Sequence, residues 1–542
     1  MRALPFLRSS RPAVAPHVAA AAPRTRTMPP RLRAVLGLLP ALLPALLFLP
    51  VVLAPPLNHD VAAVLSFSQR WLGGEHLYSD LIDVNPPLVF VISLLPAAIA
   101  ALLPVDATVA LQACVLALGL FCWRLSWIAR DRAAEGAVTR ALLDALPLMV
   151  LLSAGYDFGQ REHLMAIGVL PYVIGAARRA EGERPRGQIA AAIVAGVAIA
   201  LKPHFLAVPA LVELVVLAGR WRAPGRGGLG AALRASLRDA VPWTMAGVWL
   251  VYAASLPLVF PDYLNTVVPM VWDYYLVLGG LTFWEVLLVP RLAVALCLLV
   301  PCLLLALRGR ATLPRLLGAA ALGALASAVA QHKGWSYHVL PIALFACALA
   351  ALLAAGFLDR VALPARPRPA ALAGVLLALM GLYAISNNEA PWKEIDYADS
   401  EAAGLTALLK HDAAGERVLV LSPGIYPIYP ALNDAGARMT LRTMNMWLLQ
   451  GAYADCLPDG RRYREVWEMG RAEFFVYRTV AEDFARAPPA AVLVDRNPGI
   501  PWCGEEFDFL AYFTRHPLFA EVWSHYQLAA EWDRYRLYTR KD

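Results

Sequence analysis

Between Arg33 and Ser386 the chain repeats one pattern: apolar runs of roughly 17–25 residues, separated by short basic segments. Runs of that length match the hydrocarbon thickness of a bilayer, where only helices and closed barrels satisfy their own backbone polar groups. The expected fold class is therefore a polytopic α-helical membrane protein. The pattern stops after Ser386, and the remainder is more polar. Charged residues make up 16% of the 542 positions and apolar ones 59%. A soluble domain carries about 25% charged residues, so a wholly soluble protein is excluded. The net charge of +7 does not point to nucleic acid, because arginines in short loops set membrane orientation. No nucleic-acid partner is expected.

Charge parity fixes an expected topology. Arg31 and Arg33 precede the first span, residues 34–53, and place the N-terminus inside. Residues 1–30, rich in Arg, Ala and Pro without an apolar run, read as a disordered cytoplasmic tail. The apolar segment 88–103 is entered by Pro86 and Pro87 and interrupted by Pro96. As a helix it rises about 24 Å, short of a core of about 30 Å. Read as an interfacial or half-inserted helix on the outer face, it puts every later arginine-rich loop inside. About eleven transmembrane helices then follow, with a transmembrane domain over 31–386 and an outer catalytic loop over 56–106. The expected compartment is a bacterial inner membrane. Residues 387–542 are expected to form an extracytoplasmic (periplasmic) α/β domain. Within it, 417–422 and 490–495 fit buried strands, 401–410 and 505–515 fit helices, and 534–540 fits an edge strand. Five cysteines lie in apolar runs without metal-ligand spacing. Cys456 and Cys503 form an even pair that an oxidising compartment would allow to bond.

Residues 58–88 concentrate acids unusually for a chain so poor in charge: Asp60, Glu75, Asp80 and Asp83, with His59 and His76. Asp60 lies a few residues beyond the first span. It fits a general base, or a metal ligand, at the mouth of a lipid-facing cavity; it also fits the N-cap of an amphipathic stretch over 61–72. A second short loop holds Asp157, Arg161, Glu162 and His163. An acid from each loop is able to bind a divalent cation or to orient an acceptor hydroxyl, whereas a bland alternative is an Arg161–Glu162 surface ion pair. No cofactor other than such a cation is implied, and the metal set is left unassigned. Lys202 and His204 flank Pro203 at a helix end, and His332 and Lys333 occupy a later turn. Lysines there suit a phosphate, or merely snorkel. Trp272, Tyr274, Tyr275, Phe283 and Trp284 fit a sugar-binding groove or an interfacial aromatic belt.

The run Gly74-Glu-His-Leu-Tyr78-Ser-Asp80, followed by Asn85-Pro86-Pro87-Leu88, resembles the first outer loop of the GT-C superfamily of membrane glycosyltransferases. That superfamily includes the protein O-mannosyltransferases and the lipid A aminoarabinose transferases. Asn85 stands where lysine is frequent. The resemblance implies an inverting transferase that takes a sugar from a polyprenyl-phosphate carrier to an extracytoplasmic acceptor (lipid, glycan or protein). It implies Asp60 as the first catalytic acid and Glu162 as the second acid facing it, with Asp157 as the other candidate. Tyr78, Asp80, Asp83, Asn85, Arg161, His163, Lys202, His204, His332 and Lys333 are the expected substrate-binding residues, Lys202 toward phosphate. The implied partners are the polyprenyl-phosphate-linked sugar, its acceptor and membrane lipids. Two other classes compete: a transporter or flippase of a lipid-linked sugar, for which Glu213 inside an apolar run speaks, and a non-catalytic membrane scaffold.

Overall fold

A computed structural model describes residues 49–50, 52–54, 56–223, 228–276, 278–361 and 397–541. The expected tail, the expected last span and nearly all of the expected first span lie outside the described residues. Six helices among the described residues are long and apolar enough to cross a membrane: Ala107–Ala129, Pro203–Arg222, Ala240–Val259, Pro290–Arg308, Thr312–Gln331 and Ser336–Arg360. The count of eleven is thus not reached on these criteria. Ala137–Leu152 and Gln188–Ala200 fall short in length, at 16 and 13 residues. Arg161–Ala180 has the length but carries Arg161, Glu162, Arg178 and Arg179 at its ends.

The packing follows a bilayer's logic. Leu250, Val251 and Leu258 on the helix Ala240–Val259, and Leu304, Leu305 and Leu307 on Pro290–Arg308, stand exposed. Water would penalise so much apolar surface; lipid does not. Ser336–Arg360 is instead largely enclosed, and packs against Ala137–Leu152, Arg161–Ala180, Pro290–Arg308 and Thr312–Gln331. Small residues permit such close approach. At Gly323 an added Cβ would lie 2.5 Å from the Val208 backbone, so only glycine fits where Thr312–Gln331 crosses Ala207–Arg222. Glu213, the polar residue that favoured a transporter, is tied to Arg179 at 2.8 Å and to the Tyr172 hydroxyl at 2.7 Å. Arg179 also meets Asp239. Glu213, in the middle of its helix, is therefore one member of a compensated ion network with Arg179, Tyr172 and Asp239.

Leu88–Leu102 forms a 15-residue helix, as the sequence suggested, with Leu95 and Leu102 strongly exposed. It packs between the helices His59–Leu72 and Ala107–Ala129.

The C-terminal region is an α/β unit around a five-stranded sheet of order β2-β1-β3-β5-β4. The strands are β1 Arg417–Leu421, β2 Arg438–Met439, β3 Ala491–Asp495, β4 Tyr526–Trp532 and β5 Tyr535–Arg540. β1 runs parallel to β2 and β3, while β5 is antiparallel to both β3 and β4. Fully buried β3 is a continuous apolar run, as a central strand should be. Two sequence expectations need correction. β5 is not an edge strand, because the hairpin partner β4 covers it. Residues 505–515 do not form one helix; only Phe509–Phe513 is helical, started late by the Asp508 cap. The helix Glu401–Asp412 and the Cys456–Cys503 disulfide are present.

The acidic loop and the C-terminal region interlock. The Ile82 N–H donates to the Arg442 carbonyl at 2.6 Å, and Ile82 pairs with Thr443 as a short parallel bridge. The Arg70 guanidinium clasps Glu75 and donates to the Leu441 carbonyl at 2.8 Å. The Asn433 amide donates to the Ala62 carbonyl at 3.1 Å. The sheet region is thereby fixed beside the helix that carries Asp60.

Candidate functional site

Asp60 sits in the first turn of the helix His59–Leu72. The cap is Asn58, not Asp60: the Asn58 Oδ1 accepts from the Asp60 N–H at 2.9 Å. The Asp60 carboxylate is thus released from a capping duty. Gln160 donates to Asn58 Oδ1 at 2.8 Å and to Asp60 Oδ2 at 3.0 Å, tying the two loops together. Arg161 stands 3.8 Å from Asp60 Oδ2, and His59 Nε2 stands 3.6 Å from Oδ1. Burial alone would raise the Asp60 carboxyl. The charges of His59, Arg161 and Lys202 and the Gln160 hydrogen bond outweigh it and hold the group below its ordinary value. Asp60 is therefore an ionised carboxylate.

The second loop begins with a 3₁₀ turn, Gly155–Asp157, before the helix Arg161–Ala180. Arg161 and Glu162 are both buried, so they do not form a surface ion pair. Glu162 accepts from Lys202 Nζ at 2.6 Å, and Lys202 also donates to Gln331 Oε1 at 2.7 Å. His338 Nε2 lies 3.9 Å from Glu162 Oε1. Among the described residues, Glu162 Oε2 and His338 Nδ1 are buried without a hydrogen-bond partner. Burial pushes Lys202 down to about 8 although Glu162 pulls it upward. Asp157 supports the first acid from behind: Asn58 and Ser336 each donate to its Oδ1 at 3.3 Å.

The remaining expected residues divide. Asp83 is buried near Asp60 and accepts from the Asn85 N–H at 2.8 Å; burial raises its carboxyl. Tyr78 adopts φ 72°, and its hydroxyl donates to the Asn85 carbonyl, so Tyr78 and Asn85 shape the loop. Asp80 is turned outward, where it accepts from the His76 N–H at 3.0 Å. His163 fastens its own loop, bonding to the Gly159 N–H and the Val150 carbonyl at 3.1 Å each. His204 is half-buried beside the Phe205 ring. His332 ends its helix at φ 40°. Lys333 donates to the Tyr275 and Leu278 carbonyls at 2.7 and 2.5 Å, which makes it a loop clamp. The structure thus gathers Asp60, Asp83, Asp157, Arg161, Glu162 and Lys202, and gives Tyr78, Asp80, Asn85, His163 and Lys333 bonding roles in the loops. Of the five aromatics, Trp272 and Trp284 are exposed as a belt would have them, while Tyr275 packs under Lys333.

Asn58, Tyr156, Gln160, Gln331 and His338 complete the constellation, and sequence reasoning did not single them out. Asn58 and Gln160 were accessible as the residues just ahead of helices. The Tyr156 hydroxyl meets His59 Nδ1 at 2.8 Å, a pairing 97 residues apart that no local pattern shows.

An apolar groove of about 300 Å³ ends on this cluster. Val64, Val89, Ile92, Val115 and Leu118 line its walls, and Asp60, Gln160 and Arg161 close its polar end. No three His, Cys, Asp or Glu side chains among the described residues are placed to hold one metal ion. Asp60 and Glu162 each face a cationic side chain instead, so the donors present do not fit a cation cage. No protein-family model matches the chain, and no curated protein is detectably similar to it.

Proposed function

We propose that this multi-pass membrane protein is a glycosyltransferase that moves a sugar from a polyprenyl-phosphate carrier to an acceptor outside the cytoplasm. The observation that carries the reading is the Asp60 carboxyl group, with Arg161 beside it, among the polar residues that line an otherwise apolar groove. A polyprenyl chain is apolar and its phosphate anionic, and the groove offers both environments in that order. In this reading the chain crosses a bacterial inner membrane about eleven times, N-terminus inside, with residues 56–106 and 387–542 on the outer side.

The chemistry follows from the groups. The acceptor hydroxyl oxygen attacks the anomeric carbon of the donor. The bond from that carbon to the phosphate oxygen breaks, and the electron pair leaves with the polyprenyl phosphate. The hydroxyl proton passes to an Asp60 oxygen, and attack from the face opposite the phosphate inverts the anomeric centre. Arg161 lines the groove and meets the growing phosphate charge. Lys202, held on Glu162, supports it from behind as a charge. Two of the three Lys202 donors go to Glu162 and Gln331. Gln160 and Asn58 hold Asp60 in place.

The test is donor consumption by the full-length protein in nanodiscs supplied with a radiolabelled polyprenyl-phosphate hexose. Release of polyprenyl phosphate with transfer of the label supports the reading. Intact donor recovered on the opposite leaflet refutes it in favour of a flippase.

A further inference from the structure

The helix Ala240–Val259 ends, and the helix Pro290–Arg308 begins, at one end of the membrane-crossing bundle, where residues 260–289 connect them. Apolar side chains stay exposed up to that boundary: Leu258 and Val259 on the first helix, and Leu288 just ahead of the second. Within the connection Trp272 is 72% exposed, and Phe283 and Trp284 are exposed as well. Exposed tryptophans at the ends of apolar helices mark the level of the lipid headgroups.

Tyr274, two residues beyond Trp272, packs onto the C-terminal region. A side chain started at Gly451 would meet Tyr274 Cβ at 3.1 Å, and one started at Gly470 would meet the Tyr274 hydroxyl at 3.6 Å. The C-terminal region therefore comes down to the aromatic belt at Gly470. Just before that glycine lies the 3₁₀ turn Val466–Glu468, where Trp467 is 82% exposed and Val466 is exposed beside it. The turn is clamped. Glu465 and Glu468 close a capping box, Arg461 donates to both Glu468 carboxylate oxygens at 2.8 Å, and Arg515 donates to Glu465 at 3.1 Å. Just after the glycine, the helix Arg471–Arg486 starts with Arg471 and Phe474 exposed on one face, three residues apart.

We propose that Val466, Trp467, Arg471 and Phe474 form a lipid-docking surface, seated in the headgroup layer of the bilayer that the helices cross. Two observations select lipid over a protein partner. The patch continues, through Tyr274, the exposed aromatics at the helix ends. It also combines an indole with a guanidinium, which suits a layer where apolar chains meet phosphate: the rings enter the acyl boundary and Arg471 donates to a phospholipid phosphate. Because the turn is clamped by the protein itself, little ordering cost is left for docking. The C-terminal region is thus held by lipid as well as by its bonds to the acidic loop. The inference is independent of the reaction assigned to Asp60.

The experiment places the photoreactive residue p-benzoylphenylalanine at Trp467 in the full-length protein, in liposomes of radiolabelled phosphatidylethanolamine and phosphatidylglycerol. The same replacement at Trp272 is the reference, and the unsubstituted protein is the blank. Both positions are exposed, so the fold tolerates the replacement, and an unchanged unfolding midpoint checks this. After irradiation, label at Trp467 is expected to exceed the blank at least tenfold and to lie within threefold of that at Trp272. Label at Trp272 with only the blank level at Trp467 overturns the docking surface. Blank levels at both positions overturn it too, because the belt it continues would not face lipid. A crosslinked dimer in place of labelled lipid overturns it in favour of a second copy of the chain.

Discussion

Lys202→Met tests the arrangement beneath Asp60. Lys202 gives Glu162 its shortest hydrogen bond, 2.6 Å, and gives Gln331 another at 2.7 Å. The Glu162 side chain is 1% exposed, and its Oε2 has no hydrogen-bond partner among the described residues. Without Lys202, Glu162 Oε1 is left facing His338 Nε2 at 3.9 Å, a buried imidazole in place of an ammonium. Removing one partner of a buried ion pair leaves an uncompensated charge and costs about 3–5 kcal/mol. Glu162→Gln together with Lys202→Met removes both charges, so about 1–2 kcal/mol for lost hydrogen bonds is the expected total. The double variant should therefore be more stable than Lys202→Met, with a coupling of at least about 2 kcal/mol. Unfolding of the full-length protein by SDS titration in mixed micelles measures the wild type, Lys202→Met, Glu162→Gln and the double variant. Lys202→Met within about 0.5 kcal/mol of wild type, or strictly additive costs, would refute the reasoning.

Three further outcomes are expected. Because burial brings Lys202 down to about 8, donor consumption should fall as pH rises through that value, as the cation behind the phosphate loses its proton; Lys202→Arg should move the fall upward, and a wild-type profile flat to pH 10 would contradict this. Ile92→Trp fills part of the groove of about 300 Å³ and should raise the half-saturating donor concentration at least tenfold; unchanged donor kinetics would separate the groove from the carrier. Ile82→Pro deletes the N–H that bonds the Arg442 carbonyl at 2.6 Å, so limited proteolysis should release the C-terminal region faster; identical cleavage rates would show that the bridge does not hold it.

The sequence carried the membrane character, because apolar length is local information, and it carried β1 and β3, because buried parallel strands read as continuous apolar runs. It misplaced β5, since its pairing with β4 turns on the two-residue hairpin at Asp533 and Arg534, with Asp533 at φ 50°. The density of ionisable residues exposed the second loop. Which side chain meets which was not legible: Asp157 serves Asn58, 99 residues away, and Ser336, 179 away. The motif residues Tyr78, Asp80 and Asn85 bond mainly within their own loop, and the polar closure of the groove comes from Gln160 and Arg161, which only tertiary packing brings to Asp60.

The most direct measurement is single-turnover consumption of a radiolabelled polyprenyl-phosphate hexose by Asp60→Asn. Asn58 supplies the helix cap, so this substitution should leave the fold intact, with an unfolding midpoint lowered by loss of the charge facing buried Arg161. Loss of a positioned proton acceptor is expected to slow the step about 10²–10⁴-fold. A folded Asp60→Asn protein that consumes donor within threefold of the wild-type rate would contradict the central claim.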